Sequence, residues 1–177
     1  MPKGNWRRLA ATVVAGAAVL ALAGSASAAT TYQVSGEQTV VDGDSFKMSG
    51  GLIGDWEMTS FTTISTSPIF RGKGTELFSG CLDVNHNGKC KGDPSGTLSF
   101  RFRYSSLWDE NGSLVWGTCT HPVIGGTGGF AGAKGVIAMV DTPTGGTDFT
   151  TAYIGNITLP GAAKSRASAK YSAARAC

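Results

Sequence analysis

The stretch from Val123 to Asp141 reads VIGGTGGFAGAKGVIAMVD, and it constrains the fold more than any other part of the chain. Gly125, Gly126, Gly128, Gly129, Gly132 and Gly135 stand too close together for a helix, where each interior glycine costs about 1 kcal/mol relative to alanine. The segment from Gly126 to Ala131 formally matches G-x-G-x-x-G/A, the dinucleotide fingerprint. That fingerprint follows a strand and opens a helix whose N-terminus faces the pyrophosphate. Here Gly129, Gly132 and Gly135 would lie inside that helix, and the VIAMVD that follows favours a strand. No G-K-[ST] follows either, so the Walker loop fails as well. Glycines in strands, by contrast, mark bulges, tight bends and close backbone approach, which a small barrel needs where its sheet curves sharply.

The rest of the body agrees. From Thr30 to Pro160 helix signals are nearly absent, β-favouring Thr, Val, Ile, Phe and Tyr dominate, and turn clusters recur between them. Strands are expected near 32–41, 45–50, 54–66, 69–82, 96–107, 113–124, 129–141 and 147–159. Eight antiparallel strands suffice to close a barrel and remove exposed edges. In TLSFRFRYS, Leu98, Phe100, Phe102 and Tyr104 share one face while Ser99, Arg101 and Arg103 share the other. Asp109–Gly112, DENG, is a good hairpin connection. In DFTTAYIGNITL apolar residues fall on both faces, which fits an interior on one side and a subunit neighbour, or the packed tail, on the other.

The expected fold class is therefore all-β, an eight-stranded antiparallel β-barrel over residues 29–160. Residues 1–28 read as a secretory signal peptide: Lys3, Arg7 and Arg8, then an apolar run from Leu9 to Ala23, then Ala26-Ser27-Ala28. The run is short for a bilayer span, which needs roughly 20 residues, so no transmembrane segment is expected in the mature chain. The alanine-rich signal reads as bacterial, and the expected location is secreted, extracellular. Residues 161–177 form an alanine-rich basic tail.

Charge narrows the partners. The chain holds 15 basic and 12 acidic residues. Without the three basic residues of the signal the balance is 12 against 12, and without Lys164, Arg166, Lys170 and Arg175 of the tail it is 8 against 12. A body at −4 is a poor nucleic-acid binder, which needs a basic face to neutralise phosphates. The tail basics suit contact with an anionic cell wall or membrane surface.

Cys81, Cys90, Cys119 and Cys177 all lie after the signal, and an even number in an exported chain reads as two disulfides with three pairings open. Cys81–Cys90 with Cys119–Cys177 is the expected set; zinc lacks the C-x-x-C or H-x-x-x-H spacing it needs. Between the first pair, Asp83, Asn85, Asn87 and Gly88 match the D-x-[DN]-x-[DN]-G opening of calcium loops. Position 12 is Pro94 instead of glutamate, with Asp93 one place earlier. The loop is a weak calcium candidate through Asp83, Asn85, Asn87 and Asp93, set against a plain polar hairpin; no other cofactor is expected. His121 is a candidate acid/base group at a barrel mouth, set against a structural histidine bonded to a loop carbonyl. Glu57, Glu76 and Asp141 are the carboxylates nearest strand interiors, and a one-residue slip decides which point inward. With no G-x-S-x-G, a hydrolytic triad has no support, and catalytic and ligand-binding residues stay unassigned.

Gly125, Gly126, Thr127, Gly128, Phe130, Ala133 and Gly135 fall on the G-G-T/S-G-x-F-x-x-A/G-x-G run that leads into a barrel strand in plant allene oxide cyclases and the related dirigent proteins. The segment resembles that family. The resemblance implies an eight-stranded, calycin-like barrel, often trimeric, holding an apolar small molecule whose cyclisation or coupling is guided by shape. It carries over no catalytic residue, because no motif outside the glycine run aligns, and the cysteines and the calcium-like loop depart from the plant pattern. Gly54-Asp55-Trp56 is similar to the G-x-W of lipocalins, also small-molecule barrels, but the arginine that packs on that tryptophan is missing from the last strand. The expected function is binding of an apolar small molecule, with steering of its cyclisation or isomerisation. The alternative is a non-enzymatic extracellular scaffold or cell-surface protein, and a homo-oligomer suits either.

Overall fold

The computed structural model describes residues 28–145 and 148–161. The signal-like segment before residue 28, the tail basics and Cys177 lie outside them. Eight strands follow one another: β1 (Thr30–Asp42), β2 (Ser45–Gly50), β3 (Leu52–Ser65), β4 (Phe70–Leu82), β5 (Ser95–Trp108), β6 (Leu114–Gly126), β7 (Lys134–Gly145) and β8 (Asp148–Leu159). Each pairs antiparallel with its neighbour in sequence, and β8 closes on β1 from Thr30↔Leu159 to Gln38↔Thr151. The result is the closed eight-stranded antiparallel barrel that the strand rhythm predicts. Among the described residues no helix is long and apolar enough to cross a membrane.

One expected boundary moves. β7 begins at Lys134, not at 129, because Gly128–Phe130 forms a 3-10 turn. Gly128 (φ 59°) and Gly132 (φ 73°) take left-handed backbone that other residues adopt only with strain. They fold the glycine run back so that Phe130 inserts, fully buried, into the end of the barrel. Close approach does the rest: a Cβ at Gly129 would lie 2.7 Å from the backbone nitrogen of Ser95. The glycines thus serve closure, and no phosphate-cradling helix follows them.

Period two holds inside. Leu98, Phe100 and Phe102 are buried while Arg101 and Arg103 are exposed. Trp56 stacks on Phe100 with ring centroids 4.5 Å apart, and Phe78 meets Phe130 edge-on at 6.2 Å. With Val34, Leu52, Leu82 and Ile157 these side chains fill one half of the interior. Each such side chain removed from water contributes roughly 1.5–3 kcal/mol. Trp56 of the G-x-W match is an ordinary core tryptophan, fully buried, with its indole N–H unpartnered.

The same half is sealed by connections. The β4–β5 loop is tied down where the Leu82 N–H donates to the Pro94 carbonyl (2.9 Å) and the Asp83 N–H to the Gly51 carbonyl (3.0 Å). Cys81 and Cys90 are disulfide-bonded, as expected, with Cα atoms 5.5 Å apart. At the opposite end lie the hairpins. In the β5–β6 turn the Asp109 Oδ1 accepts N–H bonds from Asn111 (2.9 Å) and Ser113 (2.7 Å), which makes DENG the turn its composition predicts.

Candidate functional site

The hairpin half of the barrel is not filled. A cavity of about 200 Å³ remains there, walled by Phe46, Met58, Phe61, Phe102, Met139 and Phe149 and reached by the polar groups of Glu76, Tyr104, Cys119, His121, Asp141 and Thr151. Backbone irregularities shape it. β-Bulges on β3, between Met58 and Ser60 and between Thr63 and Ser65, shift the register on β4. They bring Phe61 into the mouth, where its ring lies 5.9 Å from Phe102 and 6.1 Å from Phe70. Gly72 and Gly74 on β4 leave the room: a Cβ at either would collide with the ring of Phe61 or Phe102 respectively.

Two polar clusters face this space. In the first, Glu76 on β4 and His121 on β6 approach across the interior, with Oε2 to Nε2 3.1 Å. The histidine is 1% exposed and the glutamate 9%. The contact is near enough for an ion pair yet out of line for a hydrogen bond, which leaves Glu76 Oε2 without a hydrogen-bond partner; the other ring nitrogen, His121 Nδ1, is buried without one as well. Trp56 holds the imidazole edge-on at 5.5 Å, and Phe102 lies at 6.1 Å. Aromatic walls around a carboxylate oxygen that accepts no hydrogen bond make this a costly polar point in a chamber lined largely by apolar side chains.

In the second cluster the Thr151 hydroxyl donates to Asp141 Oδ1 at 2.7 Å, and Tyr104 sits beside the same carboxylate. Burial, opposed by a bond with Ser106 and reinforced by Asp141, pushes the Tyr104 phenol up to about 12. Gly117, in register with Asp141, is the residue that admits this cluster, since a Cβ there would strike Asp141 and lie 2.9 Å from the Tyr104 hydroxyl. Cys119 lies between the clusters. Burial first, then the charges of Glu76 and Asp141, push its thiol far above the ordinary range, so it stays protonated and is a poor nucleophile.

The expected residues sort clearly. Of the three carboxylates, Glu76 and Asp141 face the interior and Glu57 is exposed. His121 is deep in the barrel, paired with Glu76 and not with a loop carbonyl. Cys119 is buried and has no disulfide partner among the described residues; Cys177 lies outside them. Gly125 and Gly126 end β6, Gly128, Gly129 and Gly132 form the closing turn, and Gly135 opens β7. Asp83, Asn85, Asn87 and Asp93 gather in the β4–β5 loop at the sealed end, remote from the cavity. There burial raises the Asp83 carboxyl, but backbone N–H bonds, led by Gly88 and Asn87, outweigh it and leave it below its usual value. Tyr104 and Thr151 were not expected as site residues: they meet Asp141 only through strand pairing, with Gly117 opposite Asp141 and Thr151 opposite it on β8, which no sequence signal marks.

The outer surface corrects the charge argument. Although the body is at −4, Arg71 and Lys73 of β4 and Arg101 and Arg103 of β5 are all exposed on one face, with Lys73 directly opposite Arg103. Net charge hid a basic patch. Around the barrel, Val136, Val140 and Ile154 make an exposed uncharged patch on β7 and β8.

A scan against protein-family models, and comparisons with curated proteins and with solved structures, found no match to this chain.

Proposed function

We propose that this protein holds a small, mainly apolar molecule in the hairpin half of its barrel and presents one polar group of that molecule to Glu76 and His121. The observation that carries the reading is the pair of buried, unpartnered polar atoms, Glu76 Oε2 and His121 Nδ1, on the wall of an apolar cavity. Such atoms cost free energy unless a partner meets them, and a ligand hydroxyl or carbonyl is that partner. The volume sets the size. At about 200 Å³ the cavity is somewhat larger than the ~150 Å³ space that takes benzene and smaller than the roughly 300 Å³ at which drug-sized sites begin. The ligand class is a single-ring molecule or short chain with one polar end.

On the same reading the cavity steers cyclisation or isomerisation of its ligand. Glu76 and His121 supply a base and an acid within reach of one another, as proton shifts require, and the aromatic walls fix the ligand conformer. The chain is then a secreted, bacterial relative of the allene oxide cyclase and dirigent barrels, a reading supported by the eight-stranded closure and the glycine run. Native mass spectrometry of the freshly purified protein tests it. A co-purifying small mass, lost in Met58→Trp where the cavity is filled from β3, is the expected result. A ligand-free species that also takes up no single-ring probe such as cyclohexenone would overturn it.

A second reading has its own observation. Lys73 and Arg103 are paired like charges, which destabilise a sheet, and neither is in an ion pair among the described residues. An anionic surface, met by this face together with the tail basics, would relieve them, as a non-enzymatic cell-surface protein requires. Salt-sensitive binding to anionic vesicles, weakened in Arg101→Ser/Arg103→Ser, supports that role; binding unchanged between low and high salt removes it. The apolar patch of β7 and β8 supports a homo-oligomer under either reading.

A further inference from the structure

At the sealed end, the β4–β5 loop carries an arrangement that the cavity does not use. The Cys81–Cys90 disulfide closes the chain around Asp83, Asn85, Asn87 and Gly88. Asp83 is the hub of the loop: its Oδ1 accepts the Asn87 N–H at 3.1 Å and its Oδ2 the Gly88 N–H at 2.7 Å. The Asn87 Oδ1 in turn accepts the Lys89 N–H at 2.9 Å. Left-handed backbone at His86 (φ 52°) and Gly88 (φ 71°) wraps the loop inward.

Hydrogen bonding within a polar hairpin accounts for all of this, but not for Asp93. That residue returns to the loop from the far side of the disulfide and is 9% exposed. Its Oδ1 accepts the Asn85 Nδ2–H at 3.2 Å, which turns the carboxylate toward the loop, and its Oδ2 is buried with no partner at all. A buried carboxylate oxygen left unpaired is costly, and a second buried carboxylate, Asp83 at 4% exposed, stands in the same loop. A cation in the loop meets the unpaired Asp93 oxygen and balances the charge of both carboxylates.

We propose that residues 83–93 form a calcium site, with Asp83, Asn85, Asn87, the Lys89 carbonyl and Asp93 as its ligands and water completing the shell. The donor set is all oxygen, as a hard cation requires, and places 1, 3, 5 and 7 of the loop supply the first four ligands in the order calcium loops use. Asp83 is not spent by its N–H bonds, since an ionised carboxylate has about four acceptor positions. Asn85 rotates its amide to offer Oδ1, which frees Asp93 Oδ1 as well, so both Asp93 oxygens take the place of the bidentate glutamate normally found at position 12. Flexible coordination favours calcium over magnesium, which demands near-ideal octahedral geometry. With only two carboxylates, and no larger acidic cluster among the described residues, the site belongs with weak extracellular modules, at a Kd of about 10⁻⁴–10⁻³ M.

Calorimetric titration of the EDTA-stripped chain with calcium chloride, paired with melting curves, decides it. Binding heat in that concentration range is expected. So is a rise in Tm of about 3–6 °C at calcium tenfold above Kd, with much less from magnesium. Asp93→Asn keeps the shape, and it should melt no lower than the parent in EDTA because it removes an unpaired charge, yet lose both the heat and the calcium-dependent rise. No heat and no shift up to about 20 mM calcium, well beyond the weakest affinities of such loops, would overturn the proposal. So would an Asp93→Asn chain that binds calcium as the parent does, or one that melts lower by the same amount with and without calcium, the behaviour of a purely structural loop.

Discussion

Glu76 and His121 meet across the barrel from strands that are not neighbours: β5 runs between β4 and β6, yet Oε2 and Nε2 are 3.1 Å apart. Both are buried, and theirs is the one charged contact between buried side chains among the described residues. Breaking such a pair from one side leaves the remaining group stranded, at about 3–5 kcal/mol, whereas replacing both by apolar groups is often close to neutral. Urea unfolding should therefore find His121→Ala strongly destabilised and Glu76→Leu/His121→Phe near the parent. A single mutant within about 1 kcal/mol of the parent would show that the contact is incidental.

Trp56 gives a prediction of opposite sense. It is fully buried, and truncation to alanine should cost about 3–5 kcal/mol through lost contacts and a cavity. Its indole N–H has no partner, however. Trp56→Phe removes an unsatisfied donor while keeping most of the stacking on Phe100, and we expect a loss of only about 1 kcal/mol. Denaturant midpoints of the two variants check this; equal losses would mean that the N–H is satisfied in solution.

The glycine run should split into positions that tolerate a side chain and positions that do not. Gly125 has open space where a Cβ would go and a φ outside the left-handed region, so Gly125→Ala should be neutral or slightly stabilising. At Gly129 a Cβ would press on Ser95 and Pro94, at 2.7 Å and 3.0 Å, and the substitution should cost about 1–3 kcal/mol. Melting temperatures of the two variants decide it, since a run using glycine only for flexibility would treat both alike.

Alkaline stability should fall in a defined window. Burial pushes Tyr153 up to about 12, against a lowering by its bond with Leu52, and Tyr104 also lies at about 12. Folded, both phenols hold protons that the unfolded chain releases near pH 10. Stability fully present below pH 10 is therefore lost as pH climbs through 12. Tyr153→Phe should start lower, having lost the bonds to the Leu52 N–H and the Ser49 carbonyl (each 2.8 Å), but decline less steeply. Tm measured from pH 9 to 12 would refute this if the two slopes were the same.

Much of this architecture could be read from residue order, and the reasons for the exceptions are physical. Leu98, Phe100 and Phe102 were legible because strand β5 runs without interruption along their stretch and one face is buried. Phe61 was not, since two bulges on β3 change the register and period-two counting fails across them. Glu57 and Glu76 looked equivalent in sequence, and only the pairing Met58↔Glu76 settles that the second is the inward one. The start of β7 was misplaced because a turn made of glycines and a strand interrupted by glycines look the same until Phe130 is seen to need a place in the core. The basic face was invisible to net charge because Lys73 and Arg103 become neighbours only through strand pairing.

The pairing of Thr30 with Leu159 sets the two ends of the barrel side by side on the rim that the β4–β5 loop and the glycine turn seal. β1 is entered and β8 is left at the floor, while the cavity opens at the ceiling among the hairpins. A tether fixed to the barrel's own ends, at Thr30 or Leu159, therefore starts on the side away from the mouth, as a cup is held by its base. The same adjacency means the ends could be joined by a short linker and the chain reopened at Asn111 in the β5–β6 hairpin, moving both termini to the mouth without breaking a strand pair.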